Sequence, residues 1–475
     1  MSYAIYVGKK LAENNTALMA GYGDEPSSHW LELVPRMSHR QGDSITVGVT
    51  AQADLPGRRC EIPQVAETAR HLRVSYSFFR GLPSPLTNGG LNEFGVAVRD
   101  VWSPSRPELV AMTPKDQTGP NYSDLARIVL ERARTAREGV DIIADLIARH
   151  GYACYGGNSH MIADPDEAWV IIEFSGGLGL WVAERLGPDS IRVSRPGYIE
   201  DVPLAPSDDI KYSENFIKVA VDHGWYRPDS GPFNVNRVYG DGKGRWKGVA
   251  WMEEELRGRA RRSGKIGLRD LFWAISTEKF TGDTAGYGQV VPLLDIDQSA
   301  LRVMWHAPVG PVTAPLAPIF IGQLGIPPEF GPHRYLTAGE SGRFLDTRAS
   351  SARPDSVSAV PQSAEVSRSA CQIYKRLMHL TFMQHEEALR EVSGHWRRVE
   401  ARLANELPLV TRSAAVLLEA GEESLAARLM TEHSRSRLLE ALADAEALVS
   451  WLEVRLRASG HPIPHHGIIS PEQIW

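Results

Sequence analysis

The chain has 475 residues, 43% of them hydrophobic and 23% charged, with a net charge of -6 at neutral pH. That balance suits a globular protein with a large core and offers no general basic footprint for nucleic acid. No run approaches the ~18 consecutive apolar residues of a membrane span, and residues 1–10 lack the basic start and apolar run of a secretory signal. The expectation is a cytoplasmic protein. Its three cysteines, Cys60, Cys154 and Cys371, are odd in number and widely spaced, which supports neither a disulfide framework nor a zinc site.

In chain order, the first elements are two strand-like runs, SYAIYVG and ALMAGYG, joined by the polar KKLAENN in a hairpin-like start. A helix pair follows. Ser123 with Asp124 opens DLARIVLERAR, and Thr135 with Glu138 forms a capping box for AREGVDIIADLIARH, which Gly151 closes. The stretch from Ser159 to Leu186 predicts a meander, with turns at Asp164–Asp166 and Ser175–Gly177 between runs rich in Val, Ile, Trp and Phe. The basic string RGRARRSGK, Arg257 to Lys265, reads as a solvated face or loop. Antiparallel sheet plus helices make the expected class α+β.

The organisation expected is a body over residues 1–340, a loop or linker rich in Ser, Pro and Arg over 341–365, and a helical C-terminal region over 366–475. In the last, Ile373, Leu377, Leu380, Leu389, Val392, Trp396, Val399 and Leu403 recur at three- and four-residue steps, the stripe of an amphipathic helix that packs on the body or on another subunit. A homo-oligomer is compatible with such stripes. His461, His465 and His466 sit in a proline-containing terminal tail and read as a tail, not a metal site. No metal or organic cofactor is indicated.

Ser2, directly behind the initiator methionine, is the first candidate for chemistry. Methionine is normally trimmed before a small residue, leaving Ser2 with a free α-amine of reference pKa about 7.7 to 8.0, able to act as general base beside its own hydroxyl. Many proteins begin Met-Ser for no catalytic reason, so position alone says little.

A series of strings says more. MSYAIYVGKKLAENNTALMAGYGD, IPQVAET (Ile62 to Thr68), GGLNEFGVAV (Gly89 to Val98), RARTARE, ADPDEAWVIIEFSG with WVAERL, IGLRDLF (Ile266 to Phe272) and PIFIGQLGIPPEFG (Pro318 to Gly331) occur in one order. Together they resemble the N-terminal-nucleophile cysteine dipeptidases, the dipeptidase A family, over most of the chain. The resemblance implies a four-layer αββα sandwich with the nucleophile at the end of a central strand. It also implies an amide-bond hydrolase that forms an acyl-enzyme on a small peptide or an acylated amino acid. Catalytic roles carry over to Ser2, Asp24 and Asn92, the last as an oxyanion donor, although Asn92 before Gly95 also fits a turn residue. Substrate-side roles carry over to Gly21, Tyr22, Arg195 and Arg245, the last as a substrate-side or structural cation.

Three departures mark the site as rebuilt. Ser2 stands where the family carries cysteine, and a hydroxyl depends more on its base than a thiol of reference pKa about 8.5. Gly21 stands where the family carries an arginine. Arg195 stands near the position where the family carries a side-chain amide donor, and a cation there could grip a substrate carboxylate, replace the lost charge or merely fill a surface pocket. Two readings therefore stand side by side: an amide hydrolase or acyl-transferring relative using Ser2, and a degenerate homologue that binds a peptide-like ligand or partner without turnover. Cys154 with His160 nearby could be a nucleophile pair, but with no local signature a free structural cysteine is the better reading, and the glycine-rich loop Gly240 to Gly248 lacks the spacing of a P-loop.

Overall fold

The computed structural model describes residues 2–23, 29–76, 82–83, 85–195, 197–280, 286–332, 368–383 and 385–460. Two large antiparallel sheets dominate it, and their strands are numbered along the chain. The six-stranded sheet is formed by β1 (Tyr3–Val7), β2 (Ala17–Gly23), β10 (Ile191–Ser194), β12 (Tyr287–Leu293), β13 (Val303–Ala307) and β14 (Ala317–Phe320), in the order β10-β1-β2-β12-β13-β14. The eight-stranded sheet contains β3 (His29–Val34), β4 (His71–Tyr76), β5 (Leu86–Asn92), β6 (Ala97–Val101), β7 (Asn158–Ala163), β8 (Ala168–Glu173), β9 (Trp181–Leu186) and β11 (Ile210–Tyr212). Its order is β11-β9-β8-β7-β6-β5-β4-β3. Among the described residues, the helices of eight or more residues are α1 (Tyr122–Arg132), α2 (Ala136–His150), α3 (Lys247–Ser263), α4 (Leu268–Ile275), α5 (Ala370–Met383), α6 (His385–Glu419) and α7 (Glu423–Ala458).

The expected opening hairpin forms, with Tyr3 opposite Tyr22 and Val7 opposite Leu18. Every residue of β1 is buried, which explains why YAIYV is a continuous apolar run instead of an alternating one: both faces of the strand are covered. Tyr3 donates its hydroxyl to the Ala274 carbonyl of α4 at 2.7 Å. By strand alternation Tyr3, Ile5 and Val7 face α4, while Ala4 and Tyr6 face the other sheet. The sheets meet closely where side chains are missing. A Cβ on Gly21 would lie 2.7 Å from Arg99 Cδ, and one on Gly89 would lie 2.7 Å from Gln289 Oε1. The Gln289 amide crosses between the sheets and donates to the Val98 carbonyl at 3.2 Å.

On the eight-stranded sheet, Val98, Ile162, Trp169 and Ile171 form a cluster with Leu125, Val129, Val140 and Ile143 of α1 and α2. Helix α3 lies against β10, and α4 lies against β2 and β12. The meander of β7, β8 and β9 forms as the sequence implied. Thr135 caps α2 by accepting from Glu138 N at 3.1 Å, and Gly151 ends it at φ 84°. Helix α1 differs at its start. Its cap is Asn121, whose Oδ1 accepts from Ser123 N and Asp124 N, while Asp124 accepts from Asn121 N. The Ser123 hydroxyl is unavailable for capping because it accepts from Thr87 N in the neighbouring strand.

The C-terminal stripe contacts the body. Leu377, Leu380, Leu389, Val392, Trp396, Val399 and Leu403 are buried, most of them in the same cluster as Ile5 of β1 and Trp305 of β13, and α6 and α7 lie against β14. The linker and the histidine tail fall outside the described residues. Among those described, no helix is long and apolar enough to cross a membrane.

Glu400 ties α6 to the body, accepting from Leu316 N at 3.0 Å, and it is 5% exposed. Burial pushes its carboxyl up to about 8. Between the unfolded value near 4.5 and that figure, the folded protein holds a proton the unfolded chain has lost, so this contribution is complete at low pH and fades as pH rises. Glu400→Gln keeps the shape of the protonated acid. We expect it to change stability little at pH 5 and to raise it at pH 8.5 by on the order of 1–3 kcal/mol, read as a shift in the denaturant midpoint.

Candidate active site

Ser2 stands one residue before β1 and is partly buried. Alternation along β1 places it on the face it shares with Ala4 and Gly21, turned toward the eight-stranded sheet. One step beyond the Tyr3–Tyr22 pair, Gly23 lies across from it. Arg195 follows β10, the strand on the other side of β1, and its Nη1 donates to the Ser2 carbonyl at 3.0 Å. The same guanidinium lies 5.3 Å from the ring centre of Trp246. Ser2 and Arg195, 193 positions apart, are thus brought into direct contact.

Gly21 shares the face of Ser2 but presents only backbone. The space in front of it holds Arg99 of β6, which is fully buried. Arg99 Nη2 donates to the Tyr22 carbonyl at 3.1 Å, and Nη1 donates to the Asn88 carbonyl at 3.2 Å and lies 3.4 Å from Asn88 Oδ1. The guanidinium also pairs with Asp100 and sits 5.1 Å from the Tyr287 ring centre. Asn88 Nδ2 lies 3.1 Å from His29 Nε2, and the His29 ring stacks on Tyr76 at 5.3 Å and on Tyr287 at 5.5 Å. A buried polar seam therefore runs between the sheets beside the Ser2 end of β1.

Three expected site residues are placed elsewhere or otherwise. The Tyr22 ring packs 5.3 Å from that of Tyr3, on the α4 side of the sheet, because Tyr22 pairs with Tyr3 and shares its face. Only its carbonyl meets the seam. Asn92 is fully buried and serves the turn after β5: its Oδ1 accepts from Phe94 N and Val96 N, and its Nδ2 donates to the Leu130 and Ala133 carbonyls. With both donor hydrogens spent on the end of α1, it has none for an oxyanion, so the turn reading replaces the catalytic one. Arg245 pairs with Glu253 of α3 and donates to the Val193 carbonyl at 3.1 Å, while Glu253 accepts from Val193 N at 2.8 Å. It braces β10, the strand leading to Arg195, in a structural role. Asp24 lies outside the described residues.

The Cys154–His160 alternative fails on geometry. His160 and Glu173 are both fully buried and joined Nδ1 to Oε1 at 2.8 Å, and His160 Nε2 donates to the Tyr122 carbonyl at 2.9 Å. Both imidazole nitrogens are spoken for, and Cys154 Sγ lies 3.8 Å from Thr113 Oγ1. Burial opposes the charged imidazolium, yet Glu173 and then Asp100 hold the His160 pKa above its ordinary value. Burial likewise lifts Glu173 against the pull of His160. The pair shares one proton and ties β7 and β8 to the start of α1. Among the described residues no cluster of His, Cys, Asp or Glu could hold a metal ion.

Sequence reasoning missed Arg99, Asn88 and His29. A signal for Arg99 existed in VAVRDV, where two adjacent charges interrupt a strand otherwise buried on both faces. Charges in such a strand need partners across the interior.

The fold and site define an antiparallel α+β protein with a polar seam at the end of an interior strand. Residues 87–247 match the model for Peptidase family C69. A probable dipeptidase B of Streptococcus pyogenes serotype M3 (strain ATCC BAA-595 / MGAS315) is 30% identical over 152 residues, 32% of this chain and 30% of that protein. A probable dipeptidase of Salmonella dublin is 24% identical over 245 residues, 50% of this chain and 52% of that one. The matches thus span 30% and 52% of the length of these two relatives. A mutant of the conjugated bile acid hydrolase from Clostridium perfringens overlays 64% of this chain and 88% of its own at 10% identity, with a TM-score of 0.29.

Asn92→Ala leaves two backbone N–H groups and two carbonyls to find other partners in a buried turn. The expected cost is about 2–4 kcal/mol of stability, seen as a lower denaturant midpoint, with the rate per folded molecule unchanged. A loss of rate at undiminished stability would instead restore the oxyanion role.

Proposed function

We propose that the chain is an amide-bond hydrolase of the N-terminal-nucleophile kind, built as a four-layer αββα sandwich and acting on a small peptide or an acylated amino acid. The observation that carries this reading is the position of Ser2, at the end of a strand enclosed on both faces and held through its carbonyl by Arg195. The match of residues 87–247 to a peptidase family and the dipeptidase names of the partial relatives support the reaction class.

In this reading Met1 is removed and the Ser2 α-amine takes the proton of its own Oγ as that oxygen attacks the amide carbonyl. The tetrahedral intermediate collapses when the protonated amine returns that proton to the leaving nitrogen, giving an acyl-Ser2 and a free amine. Water, deprotonated by the same α-amine, then attacks the ester, and the resulting ammonium returns the proton to Ser2 Oγ as the acid is released. Arg195 assists through its hydrogen bond to the Ser2 carbonyl, which fixes the residue in one geometry, as an intramolecular base requires. Acyl transfer to another acceptor would use the same intermediate.

The reading is tested on a panel of dipeptides and acyl amino acids with wild type, Ser2→Ala and Ser2→Cys. We expect Ser2→Ala to lose at least about 1000-fold in kcat/KM while Ser2→Cys retains turnover on the same substrates. Equal turnover in wild type and Ser2→Ala would overturn it, and binding without turnover in all three would leave the degenerate homologue as the account.

A further inference from the structure

We infer that Arg99 is a positioning residue of the Ser2 site, supplied from the facing sheet through the space that Gly21 leaves open. The inference rests on Ser2 being the reacting residue.

Gly21 and Arg99 are complementary in shape. Gly21 sits in β2 opposite Ala4 of β1, on the face Ser2 shares, and an ideal Cβ there would lie 2.7 Å from Arg99 Cδ and 2.8 Å from Cγ. Those are mid-chain atoms of a fully buried side chain. A residue with any side chain at 21 is therefore incompatible with Arg99 as it stands, and glycine is what admits the guanidinium to the gap between the sheets.

The contacts of Arg99 converge on the Ser2 end of that gap. It donates to the Tyr22 carbonyl, one residue before Gly23, which faces Ser2. It donates to Asn88, whose side-chain amide continues to His29, and it lies over Tyr287, which pairs with Gly23. One guanidinium thus links β2, β5 and β12, strands of both sheets, beside the Ser2 end of β1. A buried guanidinium with a carboxylate partner is a costly way to fill space, since a well-packed apolar side chain of similar volume often serves stability as well or better. What an arginine offers that methionine does not is a rigid fork of donors, able to hold several carbonyls in fixed relation.

The test uses p-nitrophenyl acetate as acyl donor, follows release of p-nitrophenolate, and confirms the acetyl group on the N-terminal residue by mass spectrometry. Wild type, Ser2→Ala, Arg99→Lys, Arg99→Met, Gly21→Arg and the exchange variant Gly21→Arg/Arg99→Ala are compared at matched folded fraction. Arg99→Met is expected to slow acylation at Ser2 at least tenfold at saturating ester, with Arg99→Lys between it and wild type. Gly21→Arg alone, with two arginines competing for one space, should be worse, and the exchange variant should recover to within about threefold of wild type. If Ser2→Ala abolishes acylation while Arg99→Met proceeds at the wild-type rate, Arg99 only fills space and the inference is overturned, with the Ser2 reading intact. If wild type and Ser2→Ala react alike, the Ser2 reading fails and the inference falls with it.

Discussion

The rest of the structure depends on the enclosure of β1. A strand buried on both faces cannot tilt or slide without exposing apolar surface on one side or forcing side chains together on the other. Tyr3 anchors one face to α4 through its hydroxyl, and on the other face Ala4 lies opposite Gly21, where the second sheet closes in. On its two edges β1 is bonded to β2 and β10. The residue that precedes such a strand inherits a fixed position and direction, which a residue on an open loop would not have.

The polar seam is the cost of that arrangement. Arg99, Asp100, Asn88 and His29 are all buried between or beside the sheets, where isolated polar groups would destabilise the fold. They are joined into a connected set, and the set ends at the backbone of β2 beside Ser2. Farther along the eight-stranded sheet, His160 and Glu173 form a second buried pair that fastens the start of α1. The two sets meet where Asp100 of β6 pairs with His160 of β7 but differ in reach: the first turns toward Ser2, and the second turns toward the helices.

What the sequence made legible is what local periodicity and local capping encode. The opening hairpin, the meander from Asn158 to Leu186, the Thr135 cap and the C-terminal stripe all follow from residues within one or two turns of one another. The less legible parts depend on distant partners. Ser123 looked like a helix cap until Thr87 claimed its hydroxyl, and Asn92 looked like an oxyanion donor until its amide proved to close α1. Tyr22 was placed on the substrate side, but its register with Tyr3 turns the ring away. Arg195 was singled out as a cation near the site, and its contact with Ser2 spans 193 positions that no local pattern could bridge. The fit of Arg99 into the space before Gly21 escaped notice because it appears only when the two sheets are laid face to face.

The account turns on whether the chain presents Ser2 with a free α-amine. The measurement that tests this most directly is the intact mass of the protein expressed with its native start, with sequencing of the first residues. The account predicts a mass short by one methionine and serine as the first residue read. A retained methionine would put an amide where the base must be, and would contradict it.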